Sequence, residues 1–182
     1  MVNRSRPEDP YHSHIVYSDD GGETWQIGAS ADEGTNECTA IETVDGWLYL
    51  NSRNKYRLED GGNYRAVAWS SDGGETLGPI VHDAALPEPV CQASVVRFTA
   101  EAQYGRNRVL FANPGVRDGR HHFTVRMSYD ECRTWPVARV LHEGPAAYSD
   151  LCIAPARSIC CLHERGEETP YERITLARFD LS

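Results

Sequence analysis

The sequence predicts an all-β chain built from short antiparallel sheets that repeat along its length. Three observations carry that expectation. A turn motif recurs three times at near-constant spacing, a short alternating or β-branched run leads into each copy, and helical periodicity is weak throughout.

The repeated motif is S-x-D-x-G-x-T-W. Ser18 to Trp25 (SDDGGETW) fits it fully, Ser70 to Leu77 (SSDGGETL) has Leu77 for the Trp, and Ser128 to Trp135 (SYDECRTW) has Cys132 for the Gly. The copies begin at 18, 70 and 128, which are 52 and 58 residues apart. The runs HIVYS, YRAVAWS and FTVRMS precede them. Asp-x-Gly between strands is hairpin chemistry, because Gly accepts a positive φ and Asp bonds the backbone of its own turn. The aromatic after the Thr can fold beneath the turn as a plug. Between the hairpins, AIETV, WLYLNS, SVVRF, RVLFAN, SICCLHE and ITLARF read as further strands. A hairpin every roughly 50 to 60 residues, with three or four short strands per period, is the pattern of a propeller blade. One domain spanning residues 1–182, a partial β-propeller of about three four-stranded blades, is the expected architecture.

Composition narrows the function. The chain has 182 residues, enough to bury a core, with 40% hydrophobic and 25% charged residues, an ordinary globular balance. No apolar run approaches the roughly 20 residues that cross a bilayer, and the opening MVNRSRPEDPYHSH shows no signal-peptide pattern. The formal net charge of −9 argues against a nucleic-acid or anionic-membrane partner. Of 18 basic side chains only Lys55 is a lysine. Arginine presents a planar fork that pairs two-on-two with a carboxylate, so an anionic ligand would be met by a local arginine cluster. The six cysteines show no CxxC pair and no zinc-type spacing, and most read as buried thiols in apolar strands.

The repeated motif is the Asp box, and the chain resembles the exo-α-sialidase (neuraminidase) family of six-bladed propellers, specifically its C-terminal half. Beyond the boxes, NECTAIE, LNSRN, CQASVVR, ANPGVRDGR and AAYSDL are similar to family segments in the same order. The resemblance implies hydrolysis of terminal α-linked sialic acid from glycoconjugates with retention, and no cofactor or metal. Sialic acid carries a carboxylate on its anomeric carbon, which calls for fixed arginines. Its cleavage in this class uses a Tyr nucleophile. A phenol, with a pKa of about 10, needs a neighbouring carboxylate to take its proton.

Residue by residue, the resemblance assigns Tyr148 (AAYSDL) as nucleophile, Glu37 (NECTAIE) as the carboxylate paired with it, and Arg53 (LNSRN) as one member of an arginine triad. A second member lies in GVRDGRHHFTVR. Family spacing to the tyrosine favours Arg120, Arg117 stays open, and Arg126 alternates with Val125 along a strand and is expected to face outward. Glu172 (YERITLARF) resembles the supporting carboxylate that braces the remaining triad arginine.

Other features read as structural. His12 and His14 share a strand face without a third ligand, His121 and His122 point to opposite faces if extended, and Glu164 to Glu168 (ERGEE) reads as a solvated loop. The family's opening R-I-P segment and its Asp acid/base find no match, since Asp9 and Asp20 stand in the wrong context. Six blades of this period need roughly 310 to 350 residues. The chain is therefore expected to be a truncated form that is inactive or nearly so alone. Its open sheet edges and blade faces invite self-association. A sialoglycan-binding propeller without turnover and an Asp-box scaffold remain the alternatives.

Overall fold

The computed structural model describes residues 2–3, 10–56, 59 and 63–181. Among them the strands run β1 (Val2–Asn3), β2 (His12–Tyr17), β3 (Gln26–Ser30), β4 (Thr35–Glu42), β5 (Leu48–Asn54), β6 (Tyr64–Ser70), β7 (Val81–Pro87), β8 (Ser94–Thr99), β9 (Arg108–Pro114), β10 (His121–Ser128), β11 (Val137–Ala154), β12 (Ser158–Arg165) and β13 (Arg173–Phe179). One helical turn, α1 (Glu101–Tyr104), and one 3-10 turn (Pro155–Arg157) interrupt them. The fold is all-β and antiparallel.

The strands form sheets of order β1-β2-β3, β4-β5-β6-β7 and β13-β12-β11-β10-β9-β8. The last is two blades joined through one long strand. Val137–Pro145 of β11 pairs with β10, whereas Ala146–Ala154 pairs with β12. So β11 is the outer strand of one blade and the inner strand of the next. Two four-stranded units therefore lie between two three-stranded ones, as expected of a partial propeller.

The sheets pack face to face through three apolar clusters. Tyr49, Val67 and Leu86 meet Val95, Phe111 and Trp135 between the β4–β7 and β8–β11 blades. Phe123, Val125 and Met127 meet Leu151, Ile159 and Cys161 one blade further on. Ile15, Ala31 and Leu50 form the first and smallest cluster. The plug expectation holds for Trp135, which is 8% exposed and packs against Phe111 with ring centres 5.6 Å apart and planes tilted by 54°. It fails for Trp25, 64% exposed, because no described sheet covers that side of β3. Ile27 beside it, and Leu162, Ile174 and Leu176 at the other end, are also exposed.

The three Asp boxes repeat one hydrogen-bond set. Asp20, Asp72 and Asp130 each accept the N–H and hydroxyl of the Thr four residues on, at 2.5–3.0 Å. Ser18, Ser70 and Ser128 donate to those carboxylates and accept the N–H of Gly22, Gly74 and Cys132. Gly21–Gly22 and Gly73–Gly74 take positive φ, as do Glu131 and Cys132, where side chains make that conformation costly. Every box lies at the end of its sheet away from Glu37 and Arg53.

Three expectations are corrected. Arg126 does not face solvent: it is 8% exposed and donates to Asn113 Oδ1 at 3.0 Å, since β10 is sandwiched between neighbouring blades. His121 and His122 do not splay apart, because His122 has φ 53° and brings its Nδ1 to 2.5 Å from that of His121. Cysteine burial is mixed, with Cys91, Cys132 and Cys161 buried but Cys152 exposed.

Partial burial pushes the Asp130 carboxyl up, but the hydrogen bonds from Thr134 and Ser128 together outweigh it and hold the carboxyl below its ordinary pKa. A depressed carboxylate contributes stability above the unfolded-state pKa of about 4 and loses it as pH falls further. Asp130→Asn is expected to cost about 1–2 kcal/mol at neutral pH, mainly through lost hydrogen bonds. It should also flatten the fall in thermal midpoint below about pH 4. Calorimetric unfolding of both chains from neutral to acid pH checks this.

Candidate active site

β4, β8 and the second half of β11 are the inner strands of consecutive blades, and β8 touches the other two. Glu37 stands on β4, Arg53 near the end of the adjacent β5, and Tyr148 on the inner half of β11. Each occupies an irregularity in its ladder. The β4–β5 register shifts between Thr35 and Cys38, so that residues 36 and 37 oppose Arg53 alone. The β11–β12 register shifts between Ala146 and Ser149, leaving Ala147 and Tyr148 opposite Glu164. Bulges of this kind re-aim side chains out of the strand alternation. The freed N–H groups find side-chain acceptors instead: that of Glu37 goes to Asn36 Oδ1 at 2.8 Å, and that of Tyr148 to Glu164 Oε2 at 3.0 Å.

The three side chains converge. The Tyr148 phenol donates to Glu37 Oε1 in a short hydrogen bond. Arg53 Nη1 donates to Glu37 Oε2 at 2.7 Å and stands 3.4 Å from the Tyr148 hydroxyl. Burial, then the hydrogen bond and charge of Glu37, push the Tyr148 phenol up to about 12, with Arg53 pulling the other way. The phenol is therefore held protonated with its proton directed at a carboxylate. Arg53 keeps its Nε–H buried without a partner among the described residues.

Arg120 also reaches Tyr148. Its guanidinium lies 5.7 Å from the centre of the Tyr148 ring. Nη1 donates to the Tyr171 hydroxyl at 2.8 Å and Nη2 to the Val90 carbonyl at 3.0 Å, while its own carbonyl accepts the Ala146 N–H at 2.8 Å. Arg117 instead lies over the Tyr64 ring at 4.4 Å. Of the residues singled out from sequence, Glu37, Arg53, Arg120 and Tyr148 thus meet at one place.

Glu172 does not join them. Its carboxylate accepts the N–H groups of Glu167, Glu168 and Thr169 at 2.8–3.1 Å, which hold it down to about 2, and it closes its own loop. Glu164 and Tyr171 were missed. Glu164, read as the start of a solvated loop, belongs to β12 and anchors the Tyr148 backbone. Tyr171 carries no motif and is recognisable only from its contact with Arg120. Asp9 lies outside the described residues, and Asp20 serves its Asp box. Among the described residues no group of three His, Cys, Asp or Glu gathers as a metal site.

Residues 4–161 match the model of the BNR repeat-like domain family. Over 165 residues the chain is 39% identical to a sialidase of Micromonospora viridifaciens, covering 89% of this chain and 25% of the relative. It is 34% identical over 157 residues to a sialidase of Bacteroides fragilis, covering 82% of this chain and 28% of that one. Among solved structures it superposes on the Hadza microbial sialidase Hz136 with a TM-score of 0.81 at 33% identity, over 95% of this chain and 33% of that chain. The chain spans about a quarter to a third of the length of these relatives.

Replacing Glu37 by Gln removes the charge that disfavours phenolate beside it. Tyr148 should then ionise at lower pH than in the unaltered chain. Tyrosinate absorbance followed through an alkaline titration, with Tyr148→Phe identifying the transition, reads the shift directly. A midpoint unchanged or raised would contradict the coupling.

Proposed function

The chain belongs to the sialidase-type BNR-repeat family, and from that premise we propose that its site grips the carboxylate of a terminal sialic acid and attacks the adjacent anomeric carbon. The observation that carries this reading is the phenol–carboxylate pair of Tyr148 and Glu37 set beside two guanidinium groups. A planar carboxylate can take two N–H donors from an arginine, and Arg53 and Arg120 both stand beside the nucleophile, one at its hydroxyl and one at its ring. That arrangement fixes the anomeric carbon over the phenol oxygen.

A neutral phenol approaches a carbon bearing a carboxylate without like-charge repulsion. As its oxygen bonds to the anomeric carbon, its proton passes to Glu37, and the glycosidic bond breaks. The leaving oxygen takes a proton from a donor that none of Glu37, Arg53, Arg120 and Tyr148 supplies. Water then attacks the same carbon from the vacated face and gives its proton back to the donor that protonated the leaving oxygen, while the phenolate leaves and Glu37 returns the first proton to it. Two inversions give retention. The raised phenol pKa fits this sequence, since free phenolate is not required. Transfer to the neighbouring carboxylate accompanies bond formation instead.

The substrate class is sialic-acid-bearing glycoconjugates, and the site asks for no cofactor. Without a leaving-group acid among these four residues, the 182-residue chain should bind N-acetylneuraminate yet turn over a fluorogenic sialoside near background. Arg53→Ala should weaken binding at least about tenfold, the worth of one charge-assisted hydrogen-bond set. Isothermal titration of both chains is the test. Binding that is absent in the unaltered chain, or equal in Arg53→Ala, would sink the reading, and robust turnover would show that the proton donor has been misplaced.

A further inference from the structure

Behind the site lies an ion pair that the chemistry above does not use. Arg65 on β6 and Glu88 after β7 are both 0% exposed and meet at 3.0 Å. Arg65 spends the rest of its fork on Asn51 Oδ1 and the Cys91 carbonyl, each at 2.6 Å, and on the Asn51 carbonyl at 3.4 Å. Glu88 accepts the N–H of Asn54 at 2.6 Å, that of Cys91 at 3.1 Å and the Asn63 amide at 3.4 Å. Both partners thus clamp the segment 88–91 at its two ends.

That segment is strained where it is held. Val90, a β-branched residue, has φ 57°, a conformation such side chains avoid. In it the Val90 carbonyl accepts Arg120 Nη2 at 3.0 Å. Two residues on, the Gln92 amide both donates to the Ser149 carbonyl and accepts the Ser149 N–H, each at 2.9 Å, next to Tyr148 in the chain. The Asn54 N–H that Glu88 receives follows Arg53 directly. One buried pair is therefore bonded, at one remove, to the supports of Arg53, Arg120 and Tyr148.

We infer that Arg65 and Glu88 are positioning residues, which set the two arginines and the nucleophilic tyrosine in register by holding the 88–92 segment in its strained form. Neither touches the substrate space. Stability alone is a weak reason for such a pair, since well-packed apolar replacements of buried ion pairs are often neutral or better. Direction is what an apolar pair cannot supply: Leu and Met fill volume but orient neither the Cys91 peptide nor the Asn54 N–H. Lysine in place of Arg65 keeps the charge and loses the fork.

The inference rests on the reading of the site as a sialic-acid site for its binding arm, but not for its spectroscopic one. In the full chain, Arg65→Met combined with Glu88→Leu removes both charges at similar volume. Wild type, this double variant and Arg65→Lys are compared by circular dichroism, by the ring carbon resonance of Tyr148 (assigned with Tyr148→Phe) and by affinity for N-acetylneuraminate. The double variant is expected to fold, to shift the Tyr148 resonance and to bind about tenfold more weakly, as displaced groups do in a preorganised site. Arg65→Lys should resemble it rather than wild type. A folded double variant with unchanged resonance and affinity overturns the inference. So does one that cannot fold, because the pair would then serve the fold itself. If wild type fails to bind the sugar, the site reading falls, and the Tyr148 resonance alone decides the positioning.

Discussion

Sheets that radiate from a common axis pack apolar faces along their length, but at the axis their inner strands meet without sharing a ladder. The backbone N–H and C=O groups that face the neighbouring blade must still be bonded. On the inner half of β11, Ser149 and Leu151 turn their N–H groups away from β12 and toward β8. Gln92 and Ser94 receive them with side chains, at 2.9 and 3.0 Å. The Ser13 N–H meets Thr35 Oγ1 at 2.9 Å in the same way between β2 and β4. Polar side chains at the axis are thus a condition of the architecture before they are a feature of any site.

The site grows out of that condition. A mouth already lined with hydrogen-bonding side chains needs only bulges to turn some of them inward, and two ladder shifts do this for Glu37 and Tyr148. Charge then follows from burial. Glu37, with 31% of its side chain exposed, is shared between Arg53 and Tyr148, so one anion neutralises a guanidinium and keeps a phenol protonated. In a chain of net charge −9, Arg53 and Arg120 nevertheless both stand beside Tyr148.

What the sequence disclosed was local in range. The Asp boxes were readable because Ser, Asp, Gly and Thr bond one another within a few residues, and turn chemistry of that kind is written in order along the chain. The four converging site residues were reached through resemblance, and their spacing alone, from Glu37 to Tyr148, carries no geometric signal. The double duty of β11 was hidden because pairing partners set where one ladder ends and the next begins. Glu164 was masked by the acidic run it opens, and Arg126 by an alternation rule that assumes one wet face. Arg65 and Glu88 lie 23 residues apart with no motif on either. A buried pair of that kind exists only once two loops and a strand are in place.

The third Asp box shows how such long-range demands override a local rule. Its Glu131 and Cys132 adopt the positive φ that the other boxes give to glycine pairs, at a cost of order 1–2 kcal/mol each. In exchange, Glu131 takes both Nη atoms of Arg97 on β8, at 3.0 and 2.5 Å, and the Val44 N–H beyond β4 at 2.9 Å. Cys132 meanwhile sits 3% exposed in the cluster between the two blades. Glycine at either position would relax the turn and forfeit the bridge or the packing. The β4–β7 and β8–β11 blades are thereby fixed at the box end by Glu131 and at the mouth by Asn113, whose amide donates to the Pro87 carbonyl at 2.9 Å. Two anchors at opposite ends leave the pair of blades little freedom to rotate. Glu37 and Arg53 on one blade and Arg120 just ahead of β10 on the other can then hold a distance that neither strand could set alone.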